Sequence, residues 1–139
     1  MSRNERLIDL LKLREAMRAR RQAHAVGELA NEIDRAKTMQ DKLRGLIKAN
    51  TPLDEPMTPF ALRSRAWYGR QMQEQHDLLE NRSSFLEAEI VQARKVLMRH
   101  KNRENILEQR RVAVKQAEVE DREALAERQM PPSGPKPKR

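Results

Sequence analysis

Residues 50–59 read Asn50-Thr51-Pro52-Leu53-Asp54-Glu55-Pro56-Met57-Thr58-Pro59, and this stretch decides the architecture. Pro52, Pro56 and Pro59 crowd together here, whereas no proline precedes Pro52 and none lies between Pro59 and Pro131. Proline inside a helix costs about 3 kcal/mol, because it lacks an amide hydrogen and its ring clashes with the preceding turn. The chain therefore divides into a proline-free segment, a turn and a second, longer proline-free segment, closed by Pro131, Pro132, Pro135 and Pro137. Capping signals agree. Ser2-Arg3-Asn4-Glu5 has the S-x-x-E spacing of a capping box, and Thr58-Pro59 places an N-cap hydroxyl before a proline at the first helical position. The expectation is an all-α protein in which two long helices form an antiparallel coiled-coil hairpin over residues 1–130. The helices span about 3–49 and about 59–129, with a loop at about 50–58. A disordered, basic, Pro-rich tail over residues 131–139 follows. At 1.5 Å per residue the helices would run roughly 70 and 105 Å.

Composition supports an extended helical protein. The chain has 139 residues, of which 37% are hydrophobic, 3% aromatic and 36% charged, and it holds four glycines and no cysteine. That leaves little material for strands or a phosphate-cradling loop, and no thiolate for a metal or a disulfide. The most apolar early stretch, Leu7 to Leu13, is broken by Asp9 and Lys12; it is too short to cross a membrane and wrong for a signal peptide. A soluble, cytoplasmic protein is expected. Charge is unevenly spread. Residues 1–50 carry 12 cations and 7 anions, residues 51–130 carry 14 of each, and the last nine carry Lys136, Lys138 and Arg139 unopposed. The neutrality of the long second segment argues against uniform nucleic-acid binding.

Helices of this length must bury a stripe against each other. In the second, a seven-residue repeat picks out Met72, Leu79, Leu86, Ala93, His100, Leu107, Val114 and Asp121, completed by Ile90, Val96, Leu97, Ala117 and Leu125. In the first, the clearest register is Val26, Leu29, Ile33, Ala36, Gln40, Leu43 and Ile47. Toward the N-terminus it passes, with a change of phase, to Leu10, Leu13, Ala16, Ala19 and Ala23. Gln75, Arg82, Glu89 and Arg103 occupy expected leucine positions, and Gly27, Gly45 and Gly69 each cost roughly 1 kcal/mol in a helix interior. Such a hairpin is expected to be marginally stable.

If residue 49 lies beside residue 59, residue i faces roughly residue 108 − i, and about two dozen residues of the second helix project past the first. This overhang carries Leu107, Val114, Ala117 and Leu125, an amphipathic face suited to a partner; the competing reading is a frayed end held by pairs such as Glu118 with Arg122. The same alignment brings Arg3, Arg6, Lys12 and Arg14 beside Arg94, Lys95, Arg99, Lys101 and Arg103, a basic collar able to grip an acidic protein rim or a phosphate backbone. At the other end Leu53, Met57, Phe60, Leu62, Trp67 and Tyr68 gather most of the aromatics, either as docking anchors or as a cap on the hairpin. Met72, His76, Leu79 and Ser83 continue from there at helical spacing.

No catalytic constellation is evident. The sequence lacks G-x-x-x-x-G-K-[ST], G-x-G-x-x-G and H-E-x-x-H, and His24, His76 and His100 have no metal-ligand spacing. Carboxylates on open helical faces lack the desolvated site that general acid-base work needs. The expectation is no enzyme, no cofactor, no metal and no small-molecule substrate.

Several segments carry a resemblance. Leu10-Leu11-Lys12-Leu13-Arg14-Glu15 near the start, Leu43-Arg44-Gly45-Leu46-Ile47 before the turn, and Arg65-Ala66-Trp67-Tyr68 with Gln71 and Leu78-Leu79-Glu80 after it are the main ones. Gln92-Ala93-Arg94 and Glu108-Gln109-Arg110-Arg111 support them. In these the chain resembles the FliJ-type proteins, the small coiled-coil stalks of the bacterial flagellar type III export ATPase, related to injectisome stalks. The resemblance implies a hairpin similar to the coiled coil of the F-type ATPase gamma subunit. Its implied partners are a hexameric export ATPase, the cytoplasmic domain of the export gate and export chaperones, with the protein held at the inner membrane only through them. Carried onto this chain, the ATPase-facing residues are Arg3, Arg6, Lys12, Arg14, Arg94, Lys95, Arg99, Leu107, Val114 and Leu125. The gate-facing residues are Leu46, Ala49, Met72, His76 and Leu79, Ala49 standing where the family has an aromatic. Two other classes compete: a basic helical hairpin that binds nucleic acid, and a structural coiled coil that self-associates through its overhang.

Overall fold

A computed structural model describes residues 2–50 and 56–130; Leu53 and the expected tail over 131–139 lie outside the described residues. The described chain is all helical, with α1 spanning Arg3–Ala49 and α2 spanning Pro59–Gln129 packed against it as an antiparallel hairpin. Both starts are capped by side chains. Ser2 Oγ accepts from the Glu5 amide at 3.2 Å, and Thr58 Oγ1 accepts from the Ala61 amide at 3.2 Å. Each hydroxyl satisfies one of the amides that the first helical turn leaves without a carbonyl.

The chain forms two compact units. Of the described residues, a terminal unit holds 2–19 and 99–130, and a central unit holds 20–50 and 56–98. In the central unit Ile33, Leu86 and Ile90 are buried together, with Val26, Leu29 and Ala30 packed on them. Beside this apolar cluster the seam turns polar: Ser83 Oγ donates to Gln40 Oε1 at 3.4 Å, and both residues are buried. Full burial of an isoleucine or leucine contributes about 1.5–3 kcal/mol, so three such side chains form a thin core that polar pairs must extend.

Cross-helix partners give the register. In the central unit Gln22 Nε2 donates to the Ala93 carbonyl at 3.0 Å, Arg82 meets Glu32 at 3.4 Å, Lys37 meets Glu87 at 3.1 Å, and Asn50 Nδ2 donates to the Arg65 carbonyl at 2.9 Å. In the terminal unit Lys12 meets Glu108, Glu15 meets His100, and Asp9 meets Arg111. The numbers of these pairs total roughly 114 to 124, where the sequence reading expected 108. The shift arises at the turn: Asn50 sits beside Arg65 rather than residue 59, so α2 begins before its pairing with α1.

Two further expectations are corrected. The α1 seam in the terminal unit runs through the half-buried Glu5, Ile8 and Lys12 and the buried Glu15 and Ala19, positions reached by stepping back in sevens from Val26 and Leu29; of the expected register Ala19 is buried and Ala16 half-buried as expected, and Ala23 is exposed. Leu10 and Leu13, expected to face inward after a change of phase, are 65% and 57% exposed. On α2, Gln75, Arg82, Glu89 and Arg103 are exposed, and the second inward column is His76, Ser83, Ile90, Leu97, Glu104 and Arg111, one residue later. These inward polar groups are tolerated because each can reach a partner or the solvent at the seam's edge.

Candidate interaction surfaces

The terminal unit is built around a buried carboxylate. Glu15, 4% exposed, accepts from His100 Nδ1 at 2.8 Å and from Arg18 Nη1 at 3.3 Å. The His100 hydrogen bond holds the Glu15 carboxyl below its ordinary range; burial pushes the other way, and the charges of Arg18, His100 and Arg103 add to the lowering. Next along the seam Lys12 Nζ contacts Glu108 Oε2 at 2.5 Å, and Arg111 reaches Asp9 at 2.9 Å and Glu108 at 3.7 Å. Lys12 also holds the Glu108 carboxyl low.

These pairs redraw the expected basic collar. Lys12 is neutralised across the seam rather than presented outward. Arg94 and Lys95 belong to the central unit, where Arg94 is exposed next to Ala93, the acceptor for Gln22. The cations that the terminal unit does gather are Arg14, Arg103 and Arg110, which line one shallow concavity with Leu11, Glu15, Ile106 and Leu107. Arg3, Arg6 and Arg99 are exposed. Leu107 and Val114, expected on a projecting face, are half-buried seam residues, because the register carries α1 further along α2. Residues 119–129 of α2 are all exposed, with Leu125 at 55%, so the overhang is about half the expected length.

Sequence reasoning missed a second apolar stripe on α1. Leu7, Leu10, Leu13 and Met17 are 56%, 65%, 57% and 48% exposed. At 100° per residue they point away from the seam formed by Ile8, Lys12, Glu15 and Ala19. The pattern was visible as apolar residues on both sides of one helix, but hydrophobicity alone gave no reason to turn leucines outward and Glu15 inward. Arg3, Arg6 and Arg14 share the exposed side.

In the central unit the five gate-facing candidates separate. Leu46 and Ala49 are exposed, whereas Met72, His76 and Leu79 are half-buried in the seam and offer little to a partner. Near the start of α2, Phe60, Leu62, Trp67 and Tyr68 are exposed, with the last two rings edge-to-face at 5.1 Å between centroids. Phe60 is 76% exposed, so it does not cap the hairpin. Such aromatics anchor interfaces well, since they bury large rigid area at little entropic cost.

Among the described residues one group has the spacing to hold a cation: His76, Asp77 and Glu80 bring their ligand atoms within 4.8 Å of one another. Its setting opposes a metal. The Arg44 guanidinium lies 3.5 Å from His76 Nε2, the other ring nitrogen is buried, and the two carboxylates are exposed on one helical turn. Among the described residues no helix is long and apolar enough to cross a membrane. The chain matches no family model, no curated protein and no solved structure.

Proposed function

We propose that this protein is a non-enzymatic stalk of a type III export apparatus, flagellar or injectisome, that binds a hexameric export ATPase and the export gate and assists chaperone cycling. The observation that carries the reading is the unequal hairpin, in which residues 119–129 of α2 stand exposed beyond their pairing with α1. Its resemblance to FliJ-type stalks, carried by the segments around Leu10, Leu43 and Trp67, supplies the partners. The ATPase ring is contacted by the terminal unit through Arg3, Arg6, Arg14, Arg99 and Leu125, all exposed. The gate is contacted by the central unit through Leu46, Ala49, Trp67 and Tyr68. Met72, His76 and Leu79 support that surface from within the seam.

The mechanism is mechanical. An asymmetric helical pair on the axis of a ring makes different contacts with each ATPase subunit and so biases their conformations. The protein works in the cytoplasm, at the inner membrane through its partners. The test is titration of the purified chain into the cognate export ATPase, reading binding, ring assembly and turnover. Association that weakens with Leu125→Asp and with Arg6→Glu is expected. Absence of any effect on ATPase assembly or turnover would overturn the reading. A steep fall of affinity for RNA or DNA with salt, indifferent to Leu125, would favour nucleic-acid binding instead.

A further inference from the structure

We infer that the terminal unit holds a docking groove for a third helix: an acidic, amphipathic helix of a partner protein seats its apolar side chains on Leu11, Ile106 and Leu107 and sets its carboxylates against Arg14, Arg103 and Arg110. These six residues, together with Glu15, line one shallow concavity of about 220 Å³.

The lining comes from both helices and falls on one side of each. On α2, Arg103, Ile106, Leu107 and Arg110 stand at i, i+3, i+4 and i+7, within an arc of about 100° at 100° per residue. On α1, Leu11 and Arg14 lie one turn apart. Ile106 is 49% exposed, and Leu11 and Leu107 are half-buried, so the floor is apolar surface that the hairpin itself leaves uncovered.

Charge selects the partner's sign. The three arginines are exposed, while Glu15, the one carboxylate among the lining residues, is buried and already accepts from His100 and Arg18. Two other cross-helix carboxylates of the unit are turned away. Asp9 lies two residues from Leu11 and Glu108 two from Ile106, so each projects about 160° from that neighbour; Arg111 and Lys12 hold them there. Guanidinium groups match incoming carboxylates in bidentate geometry.

The lining also selects the partner's form. Backbone amides and carbonyls of α1 and α2 are used within the helices, so an extended peptide finds no edge to pair with, whereas a helix arrives with its own backbone satisfied. A third rod can lay its ridge between two others, as in helical bundles. Small-molecule pockets enclose roughly 300–1,000 Å³, more than this hollow offers. Residues 2–19 and 99–130 contain no Phe, Tyr or Trp, so nucleic-acid bases would have no ring to stack on. The inference does not rest on the export-stalk reading, with whose contacts it shares only Arg14.

Fluorescence anisotropy tests it with the full chain and two labelled, alanine-based helical peptides. Each carries one leucine stripe at three- and four-residue spacing, flanked by glutamates in one and by lysines in the other; circular dichroism verifies helix content throughout. The acidic peptide binds, and the basic one is weaker by about tenfold or more. Arg103→Glu with Arg110→Glu, at exposed sites, reverses that preference. Lys101→Glu with Lys115→Glu makes the same change of net charge at exposed positions that project about 130° or more from the middle of the arc. It leaves the acidic peptide's affinity within about twofold in physiological salt, where screening confines charge effects to about 8 Å. Ile106→Gln weakens the acidic peptide by about threefold or more, as lost apolar contact requires. An acidic peptide that does not bind, a preference that survives Arg103→Glu with Arg110→Glu, or an affinity unchanged by Ile106→Gln overturns the proposal. So does an oligothymidine that displaces the acidic peptide and binds more tightly, which assigns the groove to nucleic acid. A wild-type mass that rises with concentration in sedimentation, and falls back in the Arg103→Glu, Arg110→Glu chain, assigns it to a second copy and overturns the proposal equally.

Discussion

Leu86 and Phe85 are neighbours on α2 whose truncations rank opposite to what side-chain size suggests. Leu86 is 4% exposed inside the Ile33 and Ile90 cluster, whereas Phe85 is 63% exposed along a shallow groove with Leu29, Ala88 and Gln92. Leu86→Ala removes three carbons from contact with α1, about 2.4 kcal/mol at about 0.8 kcal/mol per buried methylene. The cavity contribution that can raise such losses toward 5 kcal/mol is small here, because a two-helix seam can close up or admit water. Phe85→Ala forfeits roughly a third of a fully buried side chain, under about 1 kcal/mol, and recovers about 0.5 kcal/mol of helix propensity. Urea unfolding followed by far-ultraviolet circular dichroism, at micromolar chain so that association does not contribute, reads both. The expected result is a midpoint clearly lowered by Leu86→Ala and nearly unchanged by Phe85→Ala. If Phe85→Ala cost as much as Leu86→Ala, the assignment of the inward column on α2 would be wrong, and with it the register of the whole central unit.

Three other outcomes follow from particular contacts. The hydrogen bond from His100 holds the Glu15 carboxyl below the ordinary carboxylate range in the folded chain. The stability it contributes is therefore present above the unfolded value and lost as pH falls through the folded one; Glu15→Gln flattens the acid side of a pH titration of the unfolding midpoint, and an unchanged acid limb would place the carboxylate in water. Gly27→Ala and Gly45→Ala each stabilise by about 0.5–1 kcal/mol, since nothing lies within 4 Å of the added carbon, whereas Gly69→Ala gains less because its carbon meets Asn50 Nδ2 at 3.1 Å. Equal gains at all three positions in thermal melts would contradict the Asn50 contact. Trp67→Ala, at a ring 52% exposed, lowers the unfolding free energy by no more than about 1.5 kcal/mol, half of a fully buried side chain, while weakening capture of the export-gate domain in pull-down. A large stability loss would make Trp67 a packing residue.

How much of this was legible in the residues depends on which column of the seam is considered. Leu79, Leu86, Ala93, Leu107 and Val114 were readable because apolar residues at sevens stand out against a charged background. The second α2 column was not, since His76, Ser83, Glu104 and Arg111 look like surface. The same ambiguity misplaced the N-terminal half of α1, where Leu10 and Leu13 outweigh Glu15 on any hydrophobic scale. A subtler signal was available. Glu15 with His100, Lys12 with Glu108 and Asp9 with Arg111 are complementary pairs whose positions advance on α1 as they recede on α2, as an antiparallel pairing requires. Reading charges as seam residues would have found it.

The residues alone determined two helices and one turn, because proline placement, N-cap hydroxyls and seven-residue spacing are local or near-local properties. Tertiary structure alone decided which faces met. Where a seam is thin, the free energy separating one register from the next comes from a few pairings between residues far apart in sequence, and no window along the chain contains them. The outward turn of Leu7, Leu10, Leu13 and Met17, the shortened overhang and the dispersal of the expected basic collar all follow from that one register.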